Sequence, residues 1–257
     1  MSEFEAIILG FVQGLTEFLP VSSSGHLTIG KEILGIESSN LTFEVVVHAA
    51  TVSSTIVVFW KEIISLLKGF FKFRMNEETG YLLKIAVSMI PVFIIGMFFK
   101  DQVEALFGSG LLVVGISLLI TATLLMLTGI IKPKERPLTY KDSFIIGIAQ
   151  AVAVLPGLSR SGATISTGMM LGIKKEDVAK FSFLMVLVPV LGEAFLELMS
   201  GEFSVASAEL ILGFISAFIS GLFACKFMIA IVKRAKLKYF AIYCAVAGLF
   251  CLASLLF

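Results

Sequence analysis

The chain has 257 residues, of which 58% are hydrophobic and 15% charged, with a formal net charge of +1 and a mean hydropathy of +1.00. Soluble domains carry about 25% charged residues, so the composition excludes an ordinary water-soluble globule and predicts one polytopic domain, 1–257, surrounded by membrane lipids. Near-neutral charge without a basic patch excludes nucleic acid as a partner. Glu3 and Glu5 occupy the place of a positive leader region, so no cleavable signal peptide is expected. Cys225, Cys244 and Cys251 stand singly in apolar runs and read as small packing residues.

In chain order, residues 4–19 are apolar and stop at Pro20, and residues 27–35 stop at Gly35. Neither piece reaches the roughly 20 residues of a spanning helix. Two short helices around a polar Ser/Gly turn suggest a re-entrant hairpin; a single broken span is the alternative. Irregular backbone at membrane depth survives only where protein or a water-filled cavity shields it. Spans follow at 42–60, 82–99 and 111–131, with a polar loop at 61–80. After a Pro133/Pro137 turn, 143–155 and 163–173 repeat the short–break–short pattern. Spans at 181–199, 210–232 and 239–257 complete the chain.

Lys and Arg decide the orientation. Loops 61–80, 132–142, 174–180 and 233–238 hold 4, 4, 3 and 4 of them, whereas 36–41, 100–109 and 200–209 hold 0, 1 and 0. The positive-inside rule places the first set in the cytoplasm. Parity then requires each short–break–short unit to return to the side it entered from, with both termini outside. The expected fold is therefore an all-α polytopic membrane protein of six spanning helices plus two re-entrant helical hairpins. Residues 1–131 and 138–257 would form an inverted-topology repeat with a site near the midplane.

The two breaks correspond. A shift of 137 positions lays Gly10 on Gly147, Gln13 on Gln150, Ser22 on Ser159, Ser24 on Ser161 and Gly25 on Gly162. Each Ser/Gly tip precedes a short helix, whose N-terminus offers free N–H groups and partial positive charge. Facing each other, two such ends would cradle an anion, with hydroxyls from Ser22, Ser24, Ser159, Ser161 and Thr164 and close backbone approach at Gly162. The same serines could simply cap the helices. Arg160 stands in the second tip, and its planar fork suits phosphate; a salt bridge to Glu17 or Glu44 is the alternative. Gln13 and Glu17 share a helix face. Glu17 could hold a divalent cation through oxygen ligands, pair with Arg160, or orient His26. His26, three residues after Ser23, is a candidate acid, base or nucleophile. His48, four residues after Glu44, reads as a structural Glu–His contact. Glu193 and Glu197 receive no role.

The run Gln13-xxx-Glu17, Phe18-Leu-Pro-Val-Ser-Ser-Ser-Gly-His26 and Pro156-Gly-Leu-Ser-Arg-Ser-Gly-Ala-Thr164 resembles the undecaprenyl-pyrophosphate phosphatase family of bacitracin-resistance type, and the similarity extends along the chain. The resemblance implies a cell-membrane hydrolase that converts a C55 polyprenyl diphosphate to the lipid monophosphate carrier of cell-wall synthesis. It further implies a reaction at the outer face that depends on a divalent cation, Mg²⁺ or Ca²⁺. Glu17 and Gln13 fall on the family's (Glu/Gln)-xxx-Glu positions, Ser23 and His26 on those of the first tip, and Arg160 with Ser159, Ser161 and Thr164 on the phosphate-binding motif. With Gln13 neutral, Glu17 would share a metal with Gln13, water and the diphosphate. The nucleophile is Ser23 or His26; Ser23 is preferred, with His26 as its base and later acid. A homodimer is left open. The rival reading is a lipid-phosphate transporter or flippase, since broken helices in inverted repeats also serve alternating access; an anion channel would leave Glu17 and His26 unexplained.

Overall fold

A computed structural model describes residues 1–36, 41–107, 110–130, 135–200, 207–234 and 237–256. The described residues are helical and connecting, with a single isolated bridge between Arg136 and Ile173. The helices are α1 (Glu3–Phe18), α2 (Ser23–Leu34), α3 (Leu41–Val58), α4 (Trp60–Phe70), α5 (Glu77–Phe98), α6 (Lys100–Phe107) and α7 (Gly110–Leu127). They continue with α8 (Tyr140–Val152), α9 (Arg160–Met170), α10 (Lys175–Met185), α11 (Leu187–Ser200), α12 (Ala208–Lys233) and α13 (Lys238–Ala253).

Both short–break–short units are helix pairs. α1 and α8 each open on a capping box. Ser2 accepts from the Glu5 N–H while Glu5 accepts from the Ser2 N–H, and Thr139 and Asp142 do the same. Asp142 also takes a bidentate pair from Arg136, at 2.6 and 2.7 Å, which holds its carboxyl down at about 2. α2 and α9 begin earlier than the apolar pattern indicates. Ser22 accepts from the Gly25 N–H at 3.2 Å and Ser159 from the Gly162 N–H at 3.0 Å. These caps draw Ser23 to His26 and Arg160 to Gly162 into the first helical turns.

The spans are less regular than expected. Among the described residues, α5, α7 and α12 are long and apolar enough to cross a membrane, and α3 with α4 counts as a fourth only as one span bent by 77°. α13 is apolar but shorter. Residues 60–70 therefore form a helix in place of the expected polar loop. Its apolar Trp60, Ile63, Ile64, Leu67 and Phe70 recur at helical spacing, with Lys61, Glu62 and Lys68 between them, as in helices that lie at an interface. The expected span 181–199 is divided at Val186 between α10 and α11. Pro189 has no N–H for the Met185 carbonyl and its ring crowds that carbonyl, so the ladder is interrupted just before it. Lys100–Phe107 is helical rather than looped. The loops 36–41 and 200–209 lie largely outside the described residues.

Small residues bring the helices together, as expected where lipid gives no hydrophobic drive between them. α1 packs against α12, α8 against α5, and α7 against α13. A Cβ on Gly10 would sit 2.4 Å from the Gly213 carbonyl oxygen, and one on Gly14 would sit 2.0 Å from Ser220 Oγ. Gly147 meets the Ser88 carbonyl in the same way, and Gly115 meets Gly248. Hydroxyls such as Ser54, Ser88 and Thr121 are buried, while Phe4, Phe11, Phe93, Phe223 and Phe250 are exposed. A polar inside and an apolar outside suit a lipid surround.

Gly14→Val is expected to lower the midpoint of thermal unfolding in detergent by the equivalent of about 1–3 kcal/mol or more. The Ala217 carbonyl oxygen lies 2.4 Å from where the new Cβ would stand, and as backbone it cannot swing aside. Gly192→Ala, with nothing within 4 Å, is the control and should shift the midpoint little.

Candidate active site

The two tips are tied to each other. The Gly157 N–H donates to Ser24 Oγ at 3.2 Å, and Ser161 Oγ donates to the Leu19 carbonyl at 3.2 Å. Gly157 has φ of 82°, and a Cβ on it would lie 2.6 Å from Val114 Cα, so only glycine fits there. Ser22 lies at φ 71° and ψ 102°, a conformation that costs a non-glycine residue about 1–3 kcal/mol. Its neighbours hold it: its carbonyl accepts from His26 Nδ1–H at 2.8 Å and its hydroxyl caps α2.

Beside this junction Glu17 collects donors. Ser23 Oγ donates to Glu17 Oε2 at 2.7 Å and Gln13 Nε2 donates to the same oxygen at 3.0 Å. His48 Nε2, from α3, lies 3.6 Å away. The Glu17 side chain is only 11% exposed, so these partners are what makes a carboxylate tolerable there. Ser23, Glu17 and His48 face a cavity of about 330 Å³, with Ser22 and Ser24 from the first tip and Ser159, Arg160 and Gln150 from the second unit. Val92, Ile95 and Gly96 of α5, Val103 of α6 and Pro189 supply an apolar wall. The size is within the range of small-ligand pockets. Behind Glu17 and Arg160 lies a second cavity of about 20 Å³, bounded by Thr51, Thr55, Ser161 and Ser182.

Among the described residues Arg160 makes no ion pair within 4 Å. Of the two carboxylates expected as its structural partners, Glu44 pairs with Lys31, and Glu17, which lines the same two cavities as Arg160, takes its hydrogen bonds from Ser23 and Gln13. The N-termini of α2 and α9 add partial positive charge at the same place. The cavity thus brings together a guanidinium, two helix N-termini and a serine hydroxyl that donates a hydrogen bond to a carboxylate.

The other expected site residues are placed differently. His26 lies on the far side of the α2 turn. Its Nδ1–H is spent on the Ser22 carbonyl, so Nε2 accepts from the Tyr243 hydroxyl at 2.6 Å, with the rings stacked at 5.5 Å. It makes no hydrogen bond to Ser23. Thr164 bonds the Arg160 carbonyl and Ser182 Oγ, buried behind the cavity. Gly162 packs on Ser159 and Thr121. Ser159 and Ser22 are helix caps that also line the cavity. Gln13 keeps Oε1 buried and without a hydrogen-bond partner among the described residues. His48, read as a contact for Glu44, donates from Nδ1 to the Glu44 backbone carbonyl at 2.8 Å and turns its other nitrogen to Glu17. The helical spacing of His48 indicates its neighbour on α3 but not the helix it faces. Tyr243 carries no signal in the sequence.

The donor set can be tested against a divalent cation. Gln13 Oε1 is an orphaned oxygen beside a carboxylate, and oxygen ligands are what Mg²⁺ and Ca²⁺ take. Among the described residues no group of three His, Cys, Asp or Glu could hold a metal. A cation there would find few protein ligands and would keep most positions for water and phosphate oxygens.

The profile of the bacitracin resistance protein BacA family matches residues 6–250. The chain is 58% identical over 257 residues to an undecaprenyl-diphosphatase of Bacteroides thetaiotaomicron, covering 97% of each chain. It is also 58% identical over 264 residues to one of Parabacteroides distasonis, covering 100% of this chain and 99% of the relative. An undecaprenyl-diphosphatase of Methanococcus vannielii is 41% identical over 249 residues, covering 96% of this chain and 98% of the relative.

Proposed function

The chain belongs to the bacitracin resistance protein BacA family, and from that premise we propose that it hydrolyses undecaprenyl diphosphate to the monophosphate and phosphate. It is an integral membrane phosphatase that recycles the lipid carrier of cell-wall synthesis and thereby confers bacitracin resistance. The observation that carries the reading is the 2.7 Å hydrogen bond from Ser23 to Glu17 at the rim of a cavity shared with Arg160. The transporter reading is not favoured: a carrier has no use for a hydroxyl aimed at a carboxylate, and the relatives are named as hydrolases.

In the proposed mechanism Arg160 and the first turns of α2 and α9 bind the terminal phosphate and balance the charge that grows on it. Ser23 Oγ attacks the terminal phosphorus and passes its proton to Glu17. The phosphorus–oxygen bond to the lipid monophosphate breaks, and that oxygen leaves with the electron pair. Water then attacks the phosphoserine, and Glu17 returns the proton to Ser23 Oγ as phosphate departs. His48, 3.6 Å from Glu17, steadies the changing charge. The general-base role expected of His26 thus moves to Glu17, because the Ser23 proton points there. His26 becomes a positioning residue that holds the strained Ser22, and with it Ser23, in place. A divalent cation, Mg²⁺ or Ca²⁺, would be held by Glu17 and Gln13 and would supply charge to the phosphate oxygens. The apolar wall of α5 and α6 gives the prenyl chain a path toward lipid.

We place the protein in the cell membrane as a multi-pass chain with two re-entrant hairpins, both termini outside and the cavity opening outward. The distribution of Lys and Arg supports this orientation. Inverted repeats 1–131 and 138–257 are supported by matched details. The capping boxes of α1 and α8 and the serine caps of α2 and α9 fall 137 positions apart. α1 of one half packs on α12 of the other, while α8 packs on α5.

In a phosphate-release assay with polyprenyl diphosphate in detergent, wild type should turn over and chelation of divalent cations should stop it. Ser23→Ala and Glu17→Gln should each lose at least about 10³-fold in kcat. Arg160→Lys should lose about 10²-fold, since a point charge lacks the bidentate fork. Inactive wild type, or Ser23→Ala at near-full rate, would overturn the reading. For orientation, a membrane-impermeant thiol reagent applied to intact cells should label Ser2→Cys and not Lys72→Cys; the reverse pattern would invert the topology.

A further inference from the structure

Gln150 is 2% exposed, yet neither its amide nitrogen nor its amide oxygen has a hydrogen-bond partner among the described residues. A buried amide without a partner is unfavourable, and this one lines the cavity that holds Ser23 and Arg160. The contrast with the matching position is direct. Gln13, 137 positions earlier, spends its amide N–H on Glu17. Val154 stands where the second unit would carry the matching carboxylate, so Gln150 lacks the partner that Gln13 has. No described side chain takes its place.

We propose that Gln150 is a substrate-binding residue, whose side-chain N–H groups donate to phosphate oxygens of the diphosphate head group in the cavity shared with Arg160. The proposal rests on the diphosphatase reading and adds to it a neutral contact outside the phosphate-binding motif. A neutral amide suits the position. It donates two hydrogen bonds to an anion without competing with Arg160 for a counter-charge, and its oxygen can accept from a water or from a protonated phosphate oxygen. The first hairpin supplies the carboxylate and the nucleophile; the second supplies a cation and an amide that line the same cavity.

The test uses the full-length protein in detergent and the variants Gln150→Met, close in size but apolar, and Gln150→Glu. Phosphate release gives kcat/KM, and the ligand-free unfolding midpoint is measured beside it. Gln150→Met should lose about tenfold or more in kcat/KM with an unchanged or raised midpoint, because an unpartnered buried amide has been removed. Gln150→Glu should lose more, since it adds a negative charge facing the diphosphate. Gln150→Met within twofold of wild type in kcat/KM would overturn the proposal. So would a midpoint that falls in step with activity, which marks a structural residue. A second arm measures the midpoint shift caused by inorganic pyrophosphate with Mg²⁺. A shift in wild type that is lost in Gln150→Met supports the contact even if wild type releases no phosphate, a result that would sink the diphosphatase reading alone. Equal shifts in both proteins would count against Gln150.

Discussion

A carboxylate cannot be placed among hydrocarbon and small packed residues unless donors come to meet it, and Glu17 imposes that condition on the structure. Its partners come from three directions: Gln13 one turn back on α1 and Ser23 across the tip donate hydrogen bonds, and His48 of α3 stands 3.6 Å away. For Ser23 to reach Glu17 the chain reverses within Leu19–Ser22, and Ser22 is carried to positive φ. The strain is confined by local bonds: Ser22 caps α2 through its hydroxyl and takes His26 Nδ1–H on its carbonyl. The groups that satisfy the carboxylate are the groups that would react at it, which makes stability and chemistry hard to separate at this tip.

The second hairpin makes a similar turn without that condition. Ser159 repeats the cap of Ser22 but sits at φ −73°, and Val154 stands in place of the carboxylate. Relieved of a charge to satisfy, it presents Arg160 and Gln150 to the cavity instead. Two hydrogen bonds between the tips, Gly157 to Ser24 and Ser161 to Leu19, lock the unequal jaws together. Close helix crossings at Gly10 and Gly147 hold the jaws against α12 and α5, so side-chain geometry at the centre depends on glycines well away from it.

Much of this is legible in residue type and spacing. The end of α1 is marked by Pro20, whereas α8 stops at Val152, short of the expected 155, and the correspondence of the tips follows from a constant shift of 137 positions. Glu17, Ser23 and Arg160 stand out as polar groups in apolar surroundings. What escapes depends on partners distant in sequence. Spacing assigns His48 to its helical neighbour, although its free nitrogen turns across to α1. Spacing also turns the ring of His26 toward Ser23, whereas Tyr243, 217 positions away, draws it outward. The bend at Phe59 and the break at Val186 are hidden because hydropathy averages over a window and does not register a lost backbone hydrogen bond.

The central claim is that the two tips form one catalytic cleft in which Ser23 attacks phosphorus. The most direct measurement is to quench the enzyme during turnover of a diphosphate labelled in its terminal phosphate, in acid and in alkali separately, and to locate the label by peptide mass spectrometry. Phosphoserine survives acid, whereas phosphohistidine survives alkali and not acid. The account predicts acid-stable label on the peptide bearing Ser23, absent in Arg160→Ala. Label stable only in alkali and borne by His26 would contradict it.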